Sequence, residues 1–320
     1  MKKTIIAASL AAAVTGSVTQ MANAANLAFA SYLFDDKFST ILRNGAQAYA
    51  ESKGHSMIQL DANNDQGRQI DQINNLIANG IDAVIIQSVD SSAAQPMTKA
   101  LRDAGIPAVY VNRKPVPIEQ LDGGPFAYVA SNEIESGTLE TFAMCQQLRA
   151  EGKSGGARGY LLMGQLTSEA ALQRTADAEQ VMALDMCNFM TLVAPKTTGE
   201  WQRTKAQDIM TNWLSSGEPF DFVIANNDEM ALGAIQAMKA AGISMDSVVV
   251  GGVDATDDAI AAMKGGDLDV TVFQNAAAQG AGAVDTAIKL IEGKKVDREV
   301  YVPFELVSMD NIDQFANRNK

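Results

Sequence analysis

Polar side chains follow buried, apolar strands at matching places in two similar stretches of this chain. In residues 75–112 and again in 212–254, a helix end leads through a buried strand, a polar turn, an Ala-rich helix and an Ala-Gly-Ile corner to a second buried strand. Open α/β sheets bind ligands outside the carboxyl ends of their strands. Two such sheets facing each other would surround one small hydrophilic ligand with the strand-end residues Asp90, Asn112, Arg113, Asn227, Asp228 and Asp254.

These residue types suit a hydroxyl-rich ring such as a sugar or a cyclic polyol. Such a ring has apolar faces and a rim of hydroxyls, and each buried hydroxyl needs a hydrogen-bond partner. Carboxylates accept from two hydroxyls at once, and arginine offers five donors in a fixed fork. Aromatic rings that could cover the faces are few near loops and helix starts, namely Phe34, Phe38, Trp201 and Trp213. Trp213 occupies an apolar helix position and is assigned to the core.

Residues for catalysis or metal binding do not form a recognisable set. His55 is the single histidine, so neither a Ser/His/Asp triad nor a His/Cys zinc site can be assembled in the usual way. No Walker A sequence or strand-anchored G-x-G-x-x-G is present. The acidic stretch at 61–65 lacks the bidentate glutamate and the spacing of a calcium loop. We therefore expect a protein that is not an enzyme and that has no metal or cofactor.

Strand and helix patterns alternate along the chain and restart near Asn132, which is typical of two doubly wound parallel sheets. Among the predicted elements are helices at Ser91–Ala104 and Glu200–Ser215 and a last strand at Tyr301–Val307. Trp201 is placed at the start of the second of these helices.

No Pro- or Ser-rich linker separates the two halves of the chain. Short ordinary segments must therefore join them. The candidates are Ala130–Asn132, Gln274–Asn275 and Phe304–Val307.

The first residues have the pattern of a secretory signal peptide. Lys2 and Lys3 precede the apolar run Ile5–Val18, and Ala22-Asn23-Ala24 fits a signal peptidase site. We expect residues 1–24 to be removed and the mature protein to be soluble in the periplasm. The net charge of −13 for the whole chain argues against binding to nucleic acid or to anionic lipid.

The chain contains two cysteines, Cys145 and Cys187. In an oxidising compartment they could form a disulfide, or they could be two separate buried thiols. The sequence leaves this open.

Several segments together carry a resemblance to a known family. They are NNDEMALGA at 226–234, VNRKP at 111–115, QRTAD at 173–177, GGVDATDD at 251–258 and Gln274. Through them the sequence resembles the periplasmic sugar-binding proteins of ABC importers, in the ribose-binding-like (type I) group. The resemblance covers nearly the whole mature chain in the same order.

A narrower resemblance is to the inositol- and rhizopine-binding branch, through residues 34–45, 61–83 and 130–137. Ribose binders usually carry Asn, Pro and two Phe in the first loop, where this chain has Asp35, Asp36, Lys37 and Phe38. Lys37 thus takes the place of one stacking ring and is included among the predicted ligand-binding residues. This departure favours a hydroxyl-rich cyclohexane ring over ribose, or an amino-substituted ring whose ammonium the acids would hold.

The resemblance implies an α/β fold of two Rossmann-like lobes with parallel sheets, a ligand cleft between them and a three-segment hinge. The N-terminal lobe would comprise residues 25–131 and 275–305. The C-terminal lobe would comprise residues 132–274 and 306–320.

The resemblance also implies a role for each site residue. Phe38 and Trp201 would stack on the ring faces. The ligand hydroxyls would be bound from the first lobe by Asp35, Asp36, Asn112 and Arg113, from the second lobe by Arg174, Asn227 and Asp254, and at the hinge by Gln274. Some of these residues also have an ordinary structural alternative: helix capping for Asp35, Asp36 and Asn227, the core for Phe38, a surface ion pair for Arg174 and an exposed turn for Arg113.

The implied function is capture of a cyclic polyol, myo-inositol first, and its delivery to the permease of an ABC importer. Ribose, a hexose or an amino-inositol (rhizopine) are the alternative ligands. A monomer is expected, with a chemoreceptor as a possible further partner. A lac-type repressor shares this core but needs an N-terminal helix-turn-helix where the signal peptide lies, and an exported polyol enzyme needs catalytic groups that the sequence does not arrange.

The same interpretation makes a prediction about Arg174. In a ligand-free cleft open to water, Arg174→Ala should weaken binding and leave the thermal midpoint almost unchanged.

Overall fold

The structure, a computed structural model, describes residues 24–319. The predicted signal peptide, residues 1–24, lies outside the described residues except for Ala24. The helices are α1 (Lys37–Ser52), α2 (Gln66–Ala78), α3 (Gln95–Ala104), α4 (Glu133–Ala150), α5 (Glu169–Met182), α6 (Arg203–Leu214), α7 (Asp228–Ala240), α8 (Asp257–Lys264) and α9 (Ala276–Ile291). Within the described range, none of these helices is both long and apolar enough to cross a membrane.

The strands are β1 (Asn26–Ser31), β2 (Ser56–Asp61), β3 (Ala83–Ile86), β4 (Ala108–Val111), β5 (Phe126–Ala130), β6 (Ala157–Met163), β7 (Met190–Leu192), β8 (Thr197–Thr198), β9 (Phe222–Ala225), β10 (Val249–Asp254), β11 (Val270–Phe273), β12 (Glu299–Tyr301) and β13 (Glu305–Val307). They form two sheets. The first has the order β12-β5-β4-β3-β1-β2, and the second has the order β13-β11-β10-β9-β6-β7, with β8 beside β6. All pairings are parallel except that of β13 with β11. The predicted fold of two parallel-sheet α/β lobes is confirmed.

Central strands such as β3 and β9 are buried along their whole length, because helices cover both faces of each sheet. Helix α1 buries one face at the helical repeat, including Ile41, Leu42 and Ala46. It packs on α9, where a side chain at Gly280 would collide with the Leu42 carbonyl. Through this contact the late helix α9 belongs to the first lobe, although the chain reaches it from the second sheet.

The chain passes between the sheets three times: from β5 to α4, from β11 to α9 and from β12 to β13. The predicted single strand Tyr301–Val307 was wrong, since β12 lies in the first sheet and β13 in the second. Pro303 stands between them and cannot donate to a strand ladder. The third crossing is therefore at 302–304, ahead of the predicted Phe304–Val307. The lobe limits at 131/132, 274/275 and 305/306 stay a prediction, with Glu305 already in the second sheet.

Two predicted helix starts were also wrong. Helix α3 begins at Gln95, not at Ser91, and Ala94 precedes it without a side-chain cap. Helix α6 begins at Arg203 because Glu200 and Trp201 have φ values of 53° and 67°, in the left-handed region that a right-handed helix excludes. Trp201 therefore lies in a loop ahead of the helix.

Cys145 of α4 and Cys187, in the segment before β7, form a disulfide. Both sulfur atoms belong to the second lobe, in a buried cluster with Met144 and Met190. The alternative of two separate thiols is thereby excluded.

Candidate functional site

A cavity lies between the carboxyl ends of the two sheets. Nine of the eleven residues predicted for the site line it: Asp36, Phe38, Asn112, Arg113, Arg174, Trp201, Asn227, Asp254 and Gln274. Contact between these residues and a ligand remains a prediction.

Asp35 and Lys37 are not part of this cavity. They line a wider depression at its outer side, together with Glu200 and Arg203. The local cause is the start of α1, where Asp36 is the N-cap and its Oδ1 accepts from the Ser39 N–H at 2.6 Å. The cap fixes Asp36 towards the cavity side of the turn, and its two neighbours lie outside.

Two further strand-end residues do not line the cavity either. Asp90 accepts hydrogen bonds from the backbone and hydroxyl of Ser92. Asp228 is fully buried, and its carboxylate accepts from the Thr271 hydroxyl at 2.7 Å and from the Thr256 N–H at 2.9 Å. It ties α7 to β11 and the turn after β10.

Asn112 follows β4 in a left-handed conformation with a φ of 62°, which asparagine tolerates better than most residues. Gln87, which follows β3, donates to Asn112 Oδ1 at 3.1 Å. This bond fixes the amide so that Nδ2 has no acceptor among residues 24–319 and is free for a ligand.

Arg113 is buried, with 3% of its surface exposed, so the alternative of an exposed turn is wrong. Its guanidinium lies 3.4 Å from the ring centroid of Tyr32 and donates to the Val89 carbonyl at 3.0 Å. It also donates to Gln165 Oε1 of the second lobe at 2.6 Å. Burial is the main cause that raises the pKa of Tyr32 well above 10.0, and the nearby Asp36 carboxylate raises this pKa further. Arg113 therefore joins the lobes as well as facing the cavity.

Arg174 on α5 is the centre of a buried network. Its Nε and Nη2 donate to the two carboxylate oxygens of Glu133 at 2.8 and 3.1 Å. Its Nη1 donates to the Asn226 carbonyl at 2.7 Å, and Nη2 donates to Gln274 Oε1 at 3.1 Å. Burial opposes the charge, but Glu133 outweighs it and raises the pKa of Arg174. Four of the five N–H donors are thus used within the protein. The predicted alternative of a surface ion pair is wrong.

The bond from Arg174 also orients Gln274. With its Oε1 occupied, Gln274 has a buried Nε2 that finds no acceptor among the described residues. Buried polar groups are normally hydrogen-bonded, and this one lines the cavity. It is a donor that a bound hydroxyl would satisfy.

Asp254 at the end of β10 supplies the complementary acceptor. Only 4% of its surface is exposed, and its carboxylate has no hydrogen-bond or ion-pair partner among the described residues. Burial raises its pKa well above 3.8, although Arg174 acts in the opposite direction. The backbone φ of 123° is unusual for a residue with a side chain.

Aromatic rings from both lobes line the cavity: Tyr32 after β1 and Phe38 on α1 from the first lobe, and Trp201 from the loop before α6. The indole of Trp201 covers Gly164, where any Cβ would overlap the ring. Asn227 caps α7 by accepting from the Met230 N–H at 3.0 Å, and its Nδ2 reaches the Trp201 carbonyl at 3.4 Å. The cap and the cavity lining are therefore compatible roles for Asn227.

Comparison with known proteins agrees with this geometry. The model of the periplasmic binding protein domain matches residues 27–295. This chain belongs to the periplasmic binding protein family. A Rhizobium meliloti protein named "Putative rhizopine-binding protein" is 51% identical over 320 residues and is matched over its full length, as is this chain. The ribose import binding protein of Haemophilus influenzae is 30% identical over 88% of this chain and 91% of its own.

Among solved structures, a Bacillus halodurans ABC transporter solute-binding protein with bound myo-inositol has a TM-score of 0.84 and 33% identity. The match covers 94% of this chain and all of that one. The recognition of the family from the sequence is confirmed, including the similarity to inositol and rhizopine binders.

The sequence did not point to five residues that line the cavity of this periplasmic binding protein: Tyr32, Ser39, Gln87, Ser168 and Ala170. Tyr32 and Gln87 directly follow β1 and β3, so the strand-end rule applied to every strand would have found them. Ser168 and Ala170 needed the position of α5 in space, which spacing along the chain does not give.

The two lobes of this binding protein also contact each other directly beside the cavity. The Ser91 N–H donates to the Thr167 carbonyl at 2.9 Å, and Gln165 Nε2 donates to Asn64 Oδ1 at 3.2 Å. With the Arg113–Gln165 bond, these contacts hold the lobes in a closed arrangement.

Proposed function

We propose that this protein captures a cyclic polyol, myo-inositol in the first place, in the periplasm and delivers it to the permease of an ABC importer. One observation carries the choice of ligand class. The cavity offers a carboxylate at Asp254 and amide donors at Gln274 and Asn112 that have no protein partner among residues 24–319, beside aromatic rings from both lobes. A ring with a hydroxyl on every carbon would pair with these groups along its rim and stack with its faces.

The relatives support the same ligand class. The Bacillus halodurans structure holds myo-inositol and is 33% identical to this chain. The departure from ribose binders in the first loop points the same way, now through Asp36 alone, because Asp35 and Lys37 lie outside the cavity.

The location and partners follow from the family and from the predicted signal peptide. Export to the periplasm would place a closed, ligand-loaded protein next to a membrane permease, and closing of two lobes about a hinge is a known form of ligand capture. The role is that of a carrier, not of an enzyme. We expect a monomer, and a chemoreceptor is a compatible second partner.

An amino-substituted polyol is the second candidate. Neither Asp36 nor Asp254 has a cationic partner within ion-pair distance among the described residues, whereas Arg174 is already paired with Glu133. An ammonium on the ring would supply the cationic partner that these carboxyl groups lack. The 51% identical relative carries the name "Putative rhizopine-binding protein".

Calorimetric titration of the mature protein with myo-inositol, an amino-inositol, ribose and a hexose tests both candidates. We expect saturable heat with myo-inositol and little with ribose. Asp254→Asn should weaken the amino-inositol more than myo-inositol, since only the former brings a charge. Tight ribose binding without inositol heat would overturn the polyol assignment.

A further inference from the structure

The last residues of the described chain return to the carboxyl ends of β10 and β11. Phe315 and Ile312 are buried in the second lobe, with 3% and 4% of their surfaces exposed. The ring of Phe315 lies 5.2 Å from that of Phe273, the last residue of β11. The Arg318 guanidinium lies 4.1 Å from the Phe273 centroid and donates to Glu305 at 2.6 Å. These contacts fix the path of the chain up to Asn319.

Asn319 is 1% exposed and uses its whole amide on the backbone behind the cavity. Its Nδ2 donates to the carbonyls of Asp254 and Gln274 at 2.8 and 2.7 Å. Its Oδ1 accepts from the Ala276 N–H at 3.1 Å. These partners determine the orientation of the Asn319 amide, because only Nδ2 can donate to the two carbonyls and only Oδ1 can accept from the N–H.

The carbonyls bound by Asn319 belong to Asp254 and Gln274, the two cavity residues whose side chains have unpaired polar atoms. Asp254 has a φ of 123°, and the next residue, Ala255, has a φ of 50°. Such a backbone persists only where the surroundings hold it. Besides Asn319, the Asp254 carbonyl receives a bond of 3.3 Å from the Gln274 N–H. Ala276 begins α9, at the second crossing between the lobes.

We propose that Asn319 is a positioning residue for ligand binding: its amide clamps the ends of β10 and β11 and so holds the carboxylate of Asp254 and the amide of Gln274 towards the ligand. Asn319 does not line the cavity itself. The proposal rests on the proposed function for its binding readout.

The test compares Asn319→Ala with Asn311→Ala. Asn311 also bonds backbone groups in the C-terminal segment, to the Leu306 carbonyl at 3.0 Å and the Ser308 N–H at 2.8 Å, but contacts neither strand end. Titrated calorimetrically with myo-inositol, Asn319→Ala should lose about tenfold in affinity, as expected for lost hydrogen bonds that orient a buried carboxylate. Asn311→Ala should stay within about twofold of the parent.

A cycle with Asp254→Ala distinguishes positioning from a general loss of stability. If Asn319 acts through Asp254 and Gln274, Asn319→Ala should change the affinity less in the Asp254→Ala background, where only the effect through Gln274 is left. An equal loss in both backgrounds, or parental affinity in Asn319→Ala, would overturn the proposal. If Asn319→Ala does not fold, Asn319→Ser, which cannot reach both carbonyls, replaces it in each comparison.

Amide hydrogen exchange of the ligand-free protein gives a readout that does not depend on the ligand. Asn319→Ala should exchange faster at 254–256 and 274–276, and Asn311→Ala should not. If the parent gives no heat with myo-inositol, the proposed ligand is wrong. Hydrogen exchange alone then tests whether Asn319 holds the ends of β10 and β11. The same protection in Asn319→Ala as in the parent would refute this.

Discussion

At the scale of single residues, Arg174 shows how a site residue can also be a structural one. Its ion pair with Glu133 is almost fully buried, with 4% of each side chain exposed. The sequence predicts Arg174 as a ligand contact in a water-filled cleft, from which a small effect on ligand-free stability follows. The burial of its partner contradicts the second part, because removing the guanidinium leaves an unpaired carboxylate inside the protein.

Arg174→Ala should therefore lower both the affinity for polyol and the stability of the ligand-free protein. Breaking one side of a buried pair costs about 3–5 kcal/mol. Thermal unfolding of the ligand-free protein measures this loss of stability. Arg158→Ala is the control, since Arg158 pairs with Glu218 at an exposed site and its loss should cost only about 0–1 kcal/mol. Equal midpoints for the Arg174 variant and the parent would contradict the buried pair.

At the scale of elements, the loop before α6 holds Trp201 against the end of β6. Gly164 follows β6 and leaves space for the indole, and Thr198 of β8 donates to the Gly164 carbonyl at 2.6 Å. The left-handed turn at Glu200 and Trp201 then carries the ring to the cavity. Three separate segments thus fix one aromatic ring.

Gly164→Ala should displace the Trp201 ring and weaken polyol binding, by about tenfold if the ring contributes stacking of ~1–1.5 kcal/mol. The φ of Gly164 is not in the left-handed region, so alanine brings no backbone strain. Gly155→Ala is the control because a Cβ there meets nothing within 4 Å. Calorimetry in a Trp201→Ala background completes the test: a further loss on adding Gly164→Ala would mean that Gly164 acts by another route.

The alternation of strand and helix patterns predicts most elements, and the ends of the buried strands predict part of the site. The other site residues follow from the family resemblance. Polar residues at the ends of buried strands identify Asn112, Arg113, Asn227 and Asp254, because parallel strands end at the same edge. The start of α6 and the split of Tyr301–Val307 were missed because a left-handed turn and a change of sheet depend on contacts distant in sequence. Asn319 gives no sequence signal, as a lone asparagine near a chain end is ordinary.

At the scale of the whole molecule, the second lobe buries acids whose charge affects stability. Glu140 on α4 is fully buried, accepts from the Ala225 N–H at 3.2 Å and has an Oε2 without a partner among the described residues. Burial raises its pKa from 4.5 to about 8. The folded protein therefore keeps a proton that the unfolded chain releases in this range.

The direction in which stability changes with pH follows from this difference in proton binding. The stabilisation linked to the Glu140 proton is complete below pH 4.5 and is lost as the pH rises towards about 8. Glu140→Gln keeps an acceptor and has no charge to release. Its free energy of unfolding, relative to that of the parent, should rise by up to about 1.4 kcal/mol per pH unit across this window. Denaturant titrations at several pH values measure it.

Glu135→Gln, on the same helix but exposed, is the control for the loss of one carboxyl group from α4. If the free energies of unfolding of Glu140→Gln and of the parent change equally from pH 4.5 to 8, Glu140 does not hold its proton in the folded state.

Closure of both lobes around a polyol at Trp201 can be tested by fluorescence, because the chain has two tryptophans and only Trp201 lines the cavity. Trp213 stacks on Tyr160 at 4.5 Å in the second lobe, and Trp213→Phe preserves an aromatic ring there. Titration of this variant with myo-inositol should change the Trp201 emission in a saturable way, with the dissociation constant found by calorimetry. Calorimetric binding with unchanged Trp201 emission would contradict a polyol bound in this cavity.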